Sequence, residues 1–401
     1  MTIDDRARNA FFFHYVSGPS RTYDVLERLY AHSTLDHHLT ASVDAVSLAF
    51  FWFQFDCAQA LPCARQKYSH ALPLLNDALK SPRSARRDST LLAVLLLDLF
   101  EKITNPNPRS ADSWMSHVNG ALSLIALRND KHFRTYIAVR LSVRLSISLL
   151  ISCVAANAPV PSALVRLRSE LEPFLQKDDP KWQFSGLVVK YASLRRAMQD
   201  DRLSTSETLT CAATLDQEFL SLANGMPLAW QYHTTYVDKI SDVVFEQHFH
   251  TYANRHITLT WNVLRVMRIL LNDMIRTCSV KEGAGSGPLN HAASDTIDGI
   301  AKDICASAPQ FTLHHSPAAT GRSLEATNRL RCYTLIFPLY VAGLYASSPS
   351  GIKPWIVKHL RLMFSKIGIR NAGIVADILE RGDGTNPWSV YAILGSYAFA
   401  A

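Results

Sequence analysis

The stretch Asp88 to Ile103 reads DSTLLAVLLLDLFEKI, and its reading decides the fold class. Asp88 or Ser89 can cap the free N–H groups of a helix start. A run of Leu and Val follows, and Asp98, Glu101 and Lys102 close what reads as the solvent face. Asn105-Pro106-Asn107-Pro108 then stops the helix, because proline donates no N–H and restricts the residue before it. A second helix is predicted from about Ser110. In it Trp114, Val118, Ala121, Leu122 and Ile125 recur at three- and four-residue spacing, until Arg128-Asn129-Asp130 breaks the pattern.

The same reasoning predicts helices near 43–60, 63–80, 132–156, 162–176, 181–200 and 205–223. A long pattern runs from about 229 to 277, and later helices fall near 291–307, 322–347, 352–367, 371–381 and 388–399. No Asn-Gly or Asp-Gly turn separates two alternating runs, so strands are not expected. The fold class read from the sequence is all-α, a single large multi-helix body of packed helical hairpins. Residues 1–42 read as an N-terminal arm with a first helix, and 43–401 as the body. Lys281 to Pro288 and Ser307 to Gly321 read as surface loops.

Composition agrees with a large core. The chain has 401 residues, 48% of them hydrophobic and 19% charged. That apolar content excludes a disordered chain. A net charge of +7 and a pI near 9.0 are mild for this length. The seven cysteines, at 57, 63, 153, 211, 278, 305 and 332, are odd in number and widely spaced. They form no disulfide framework and point to a reducing interior. Met-Thr-Ile-Asp-Asp-Arg is not a secretory signal. Leu145 to Ala156 is the most membrane-like stretch, but it is shorter than the roughly 20 residues a span needs, so no membrane span is expected. We expect an intracellular protein, nuclear or cytoplasmic, and the Met1 start leads us to expect a complete chain.

Motifs for common chemistries are missing. Gly283-x-Gly285-x-Gly287 has the wrong spacing for a phosphate cradle. There is no Gly-Lys-Ser/Thr loop, His-Glu-x-x-His pair or Gly-x-Ser-x-Gly elbow. A terpene synthase would hold magnesium on paired acidic motifs. Asp178-Asp179 and Asp200-Asp201 lack the further acid, and Arg276 stands where the second motif needs Ser or Thr. No metal site and no cofactor are expected.

Histidines gather at His248, His250 and His256, and at His314-His315. Read as one helix, His248 and His256 share a face with Tyr252 between them. Aromatic residues are frequent at Phe11 to Phe13, Phe50 to Phe55, and from Trp230 to Trp261. Most read as core, and Phe11 to Phe13 read as docking the N-terminal arm, as a lid or into a groove. Pro82 to Arg87 reads as a basic solvated loop, and Arg128, Lys131, Arg134, Arg140 and Arg144 form a second basic zone. Neither accompanies a DNA-reading module, so direct nucleic-acid recognition is not expected.

Several segments together resemble the regulatory, or middle-homology, domain of fungal zinc-cluster transcription factors. They are Tyr68 to Leu79, Ser89 to Glu101, and Trp114-Met-Ser-His117-Val-Asn-Gly120-Ala121 followed by Leu127-Arg128, with Asn129 where the family has Gly. Near the C-terminus come Phe337-Pro-Leu-Tyr-Val-Ala-Gly343 and Trp355-Ile356. The resemblance, over roughly 45 to 400, implies a helical body whose interior accepts a small molecule in some members. The family's six-cysteine zinc module has no counterpart here, since no cysteine precedes Cys57.

The sequence leaves three functions open. The first is a regulator or co-regulator of a specialised-metabolite pathway that binds a small hydrophobic molecule and works through a protein partner. The second is a metal- and cofactor-free pathway enzyme, a cyclase or pericyclase of the Diels-Alder type, which would need mainly shape and a few hydrogen bonds. The third is an interaction protein with a filled core. Trp230, Tyr252 and His256 are the candidate ligand-binding residues, because they join aromatic surface to polar tips. No catalytic residue is assigned.

Overall fold

A computed structural model of the chain describes residues 1–17, 22–32, 36–104, 111–128, 133, 135–238, 242–283, 287–312, 329, 331–382 and 384–394, and for 30–32 and 111–117 the backbone only. The helix stop at 105–108, most of the loop 307–321 with His314-His315, the end of the expected helix 388–399, and Asn129, Lys131 and Arg134 lie outside the described residues, as do the side chains of Trp114 and His117. The fold is all-α. Its helices fall into two compact units, Met1–Lys177 and Asp178–Leu394.

In the first unit, α1 (Ile3–Phe12) leads into a short π-helical turn and α2 (Val25–His32). Thr2 caps α1, and Asp5 reaches back to the Thr2 backbone, which satisfies two N–H groups reciprocally. Phe11 and Phe12 of the aromatic run lie within α1. Phe11 is fully buried, 4.9 Å from the Tyr15 ring and 6.2 Å from the Phe50 ring. Phe50 belongs to α3 (His37–Phe55), which pairs with α4 (Ala60–Lys80) as a helical hairpin. Asp56 ends α3 in the left-handed conformation, a common helix stop.

Pro82–Ala85 forms the one-turn helix α5, and α6 (Asp88–Thr104) packs across α3 and α4. The predicted span of α6 is matched closely, but its polar strip is not a solvent face. Lys102 is buried and pairs with Asp98 at 2.5 Å and with Ser148 Oγ at 2.8 Å, while Glu101 accepts from the Tyr68 hydroxyl at 2.5 Å. Buried charges persist only when paired in this way. Helices α7 (Ala111–Ala126), α8 (Tyr136–Ala155) and α9 (Ser162–Leu171) complete the unit. By length and composition α8 could cross a membrane; it is longer than the stretch singled out in the sequence. A core helix passes the same test, and Leu141, Leu145, Leu149 and Leu150 of α8 are buried where it meets α6, α7 and α9.

The second unit is built around α12 (Arg255–Lys281), which packs on α11 (Thr205–Asn224), α10 (Pro180–Gln199) and α13 (Pro288–Ser307). Asp216 of α11 is buried and takes two hydrogen bonds from Arg268 of α12, at 2.8 and 3.0 Å. A bidentate pair of this kind adds geometric register as well as energy. After the short α14 (Pro309–Thr312) come α15 (Ile336–Tyr345), α16 (Ile352–Ile367), α17 (Arg370–Arg381) and α18 (Pro387–Ile393). Residues 336–343 of α15 are all buried. Gly343 packs against side chains of α16 and α17: a Cβ there would meet Leu379 at 3.2 Å and Ile356 at 3.5 Å. The Pro-Leu-Tyr-Val-Ala-Gly pattern quoted above is therefore a close-packing device.

The long helical pattern expected over 229–277 is overturned in its first half. Residues His233–Tyr236 and His248–Thr251 form β1 and β2, an antiparallel pair in which His233 faces Thr251 and Tyr236 faces His248. The turn signal was missing because the connection is long. It is closed by Glu246 and Gln247, at φ 50° and 62°, in a region that glycine usually occupies. The helix starts only at Arg255, where Asn254 caps the Ile257 N–H.

Candidate functional site

The residues that bring chemistry together lie where β2 runs into α12. Trp261 and Arg265 are four residues apart and share one face of α12, with Asn262 three residues before Arg265. Tyr252 follows β2 directly. Its backbone is held at two points by the Gln310 side chain, which donates to the Tyr252 carbonyl at 2.8 Å and accepts from its N–H at 3.1 Å. Tyr232 precedes β1. The indole of Trp261 donates to the Trp230 carbonyl at 2.7 Å and so anchors that segment.

Arg265 is the centre of the cluster and is only 3% exposed. Its Nη1 donates to the Tyr252 hydroxyl oxygen at 2.6 Å and to Asn262 Oδ1 at 3.1 Å. Nη2 has no hydrogen bond; its counter-ion is Asp303 at 3.6 Å, whose side chain is 43% exposed. Three rings surround the guanidinium: Tyr232 at 5.3 Å, Trp261 at 5.4 Å and Tyr252 at 5.9 Å. A desolvated cation–π contact contributes about 2 kcal/mol, so the rings add to the attraction that the Asp303 carboxylate supplies. Asn262 is held in turn by Ser307, which accepts its Nδ2–H at 2.9 Å.

The chain of polar groups continues outward. Tyr252 already accepts from Arg265, so its own proton points toward His250 Nδ1 at 3.5 Å. Tyr232 lies over the His250 ring at 4.1 Å, and stands 5.2 Å from both Tyr252 and Trp261. Burial, with help from the Arg265 charge and His248, pushes His250 down to about 3. Burial raises the Tyr252 phenol, against the opposing pull of Arg265. At neutral pH the imidazole and the phenol are both uncharged. Neither is poised near 7, where a general acid or base works best. The arrangement is suited to orienting a bound group through directed hydrogen bonds and aromatic walls.

The sequence candidates are placed unequally. Tyr252 stands in the cluster. Trp230 is half-buried at the end of a 3₁₀ turn and contributes its carbonyl. His256, half-buried in the first turn of α12, is not among the partners of Arg265. His248 and His250 sit on β2, with ring centroids 5.8 Å apart, so the shared helix face with His256 does not exist. Arg265 and Asn262 were missed. The Trp261-x-x-x-Arg265 spacing is legible, but what surrounds it comes from the hairpin and from α13.

Other groups answer different needs. The basic residues Arg28 and Arg140 flank the Tyr136 ring at 4.3 and 6.0 Å, and with Asp24 and Glu27 they line an open groove of about 450 Å³. Among the described residues no group of three or more His, Cys, Asp or Glu is placed to hold a metal. No disulfide forms among the cysteines: Cys153, Cys278, Cys305 and Cys332 are buried, Cys57 and Cys63 half-buried, and Cys211 exposed.

Comparison with known proteins gives a partial answer. Residues 19–168 match the family described as the fungal specific transcription factor domain. The match falls within the first unit. A protein of Emericella nidulans, described as uncharacterized, is 32% identical over 90 residues, which is 22% of this chain. That stretch covers 19% of the relative's own length, about a fifth of it. No solved structure matches the chain. The fold is all-α in class with one short hairpin, and residues 19–168 are similar to the fungal specific transcription factor domain.

Proposed function

We propose that the protein is a small-molecule-responsive regulator or co-regulator of a specialised-metabolite pathway, acting through a partner that contacts DNA. The match at 19–168 supports the regulatory half of this reading. The carrying observation for the ligand half is Arg265, a buried charge walled by three aromatic rings with one hydrogen-bonding nitrogen unused. A ligand that completes this cluster stabilises the second unit by RT ln(1 + L/Kd), where L is its free concentration, so the gain grows with the logarithm of that concentration. Deleting the gene is expected to change transcript levels of neighbouring pathway genes. Unchanged transcripts with a blocked metabolite would remove the regulator reading.

One observation supports a second reading, a metal- and cofactor-free cyclase or pericyclase. The Arg265–Tyr252 contact at 2.6 Å could be redirected to a substrate carbonyl and polarise it. Purified protein would then convert a pathway intermediate faster than a buffer blank. The regulator reading expects no difference from the blank.

A further inference from the structure

We infer that the Arg265 cluster takes a planar aromatic acid, a ring bearing one carboxylate, which occupies the place of the Tyr232 ring. The inference deepens the small-molecule reading above and rests on it.

Charge is the first argument. Arginine does not lose its proton inside a protein, so Arg265 brings a full positive charge into the interior. Its close hydrogen-bond partners, Tyr252 and Asn262, are neutral acceptors. Asp303 stands 3.6 Å from Nη2, outside ordinary hydrogen-bond distance, and its own side chain is partly in solvent. A carboxylate brought to Nη2 would make the short charge-assisted bond that Asp303 does not make.

Shape is the second. Tyr252, Trp261 and His250 form aromatic walls, and the ring between them is Tyr232. Tyr232 is itself half-buried and comes from an exposed segment. Pro227, Leu228, Ala229, Gln231 and every residue of β1 are exposed, Leu228 at 82%. The other rings come from α12 and from the well-anchored end of β2. Tyr232 is thus the one ring of the cluster that can leave by turning about its own side-chain bonds while the hairpin ladder stays paired. A ligand ring of similar width then inherits its contacts with His250, Tyr252, Trp261 and the guanidinium. A neutral ring would inherit the stacking but not the bond to Nη2.

The test uses the full chain and two probes of one shape, 2-naphthoate and its neutral isostere 2-naphthamide, titrated calorimetrically. Naphthoate is expected to bind, and naphthamide to bind about tenfold to a hundredfold more weakly, the usual worth of a charge-assisted hydrogen bond. Tyr232→Ala, which removes the displaced ring, should tighten naphthoate. Asp303→Asn, at a half-buried position, should also tighten it by removing the competing carboxylate. Adding Arg265→Gln to Tyr232→Ala should abolish the preference for the acid. If naphthamide binds as tightly as naphthoate, the acid class is wrong while the small-molecule reading stands. If neither probe binds the wild type or Tyr232→Ala, the cluster is a filled hub and both fail. Should Arg265→Gln not fold, the Asp303→Asn result decides: no gain in naphthoate affinity overturns the inference.

Discussion

Arg128 in the first unit and Arg265 in the second are both buried, and the two are used differently. Arg128 in the first unit follows α7, and its side chain is 2% exposed. It pairs with Asp88 at 3.2 Å and donates to the Arg87 carbonyl, at the start of α6. Nearby, Asp36 ahead of α3 accepts from Arg87 at 2.6 Å and from the Ser89 hydroxyl. Thr90 donates to the Ser84 carbonyl at 2.7 Å and accepts from His38 at 3.2 Å. Arg128 is a clamp, spending its donors on a carboxylate and a backbone carbonyl where two helices begin. Each leaves one buried nitrogen without a hydrogen bond, Nε of Arg128 and Nη2 of Arg265, but Arg265 spends its donors on neutral side chains. A buried arginine with satisfied ionic partners holds chain together. One with neutral partners and aromatic walls keeps capacity for something else.

The contrast can be broken or sharpened by measurement. The largest loss is expected at neither arginine but at Arg268. Arg268→Met leaves the Asp216 carboxylate buried without its bidentate partner, which costs about 3–5 kcal/mol. Urea unfolding of the single variant and of the double variant with Asp216→Leu checks this. The double should recover most of the loss, because two apolar side chains leave no stranded charge.

Acid should separate the units next. His250 is held down to about 3 and His359 to about 4, both by burial. Unfolded histidine titrates near 6.5, so below that pH the unfolded chain binds more protons than the folded one. The stability these neutral imidazoles hold is complete above pH 6.5, falls as pH drops, and reaches its floor near pH 3–4. For His359 alone the loss is up to about 3 kcal/mol. Neither His359 nitrogen has a hydrogen-bond partner, and the ring stacks on Trp355 at 4.5 Å. His359→Phe keeps the stack and should flatten the pH dependence. Hydrogen exchange at pH 5 should open peptides from 178–394 before those from 1–177, where, among the described residues, His38 is a histidine lowered by burial. Equal opening of both would erase the distinction.

The two arginines themselves come third. Arg128→Met is expected to cost about 2–3 kcal/mol, through the stranded Asp88 and the Arg87 carbonyl. Arg265→Met should cost about 1–2 kcal/mol, since its closest partners are neutral and the rings can close on a methionine. If Arg265→Met proves the costlier, the cluster is as structural as the clamp. The smallest effect is expected at Tyr236, 78% exposed on β1. Tyr236→Ser should shift stability by less than about 0.5 kcal/mol, read from the urea midpoint.

Much of the first unit was legible because its helices announce themselves locally. DSTLLAVLLLDLFEKI carries cap and apolar run, and α6 spans Asp88–Thr104 as read. What failed was the reading of which face is wet. Asp98, Glu101 and Lys102 look solvated in a single helix, yet Tyr68 of α4 and Ser148 of α8 turn that strip inward. In the second unit the failure was larger. Between Trp230 and Asn254 aromatic and β-branched residues follow one another without glycine, and periodicity reads them as the front of a long helix. Tyr252 joins a ring to a polar tip, which the sequence shows, but it follows a strand instead of lying on a helix face. Arg265 carried a readable partner in Trp261 and none of the others.

The amino-acid sequence by itself determined the class of fold, the position of most helices and the bias toward a large apolar core. These follow from interactions within a few turns of one chain segment, namely capping, spacing and proline stops. Only the tertiary structure decided which polar residues are buried and what they meet. Tyr232, His250, Tyr252, Arg265, Asp303 and Ser307 span a hairpin and two helices, and no local pattern records that they converge. Burial is a property of the neighbours, and the electrostatics of the cluster, from the depressed His250 to the under-neutralised Arg265, follow from burial.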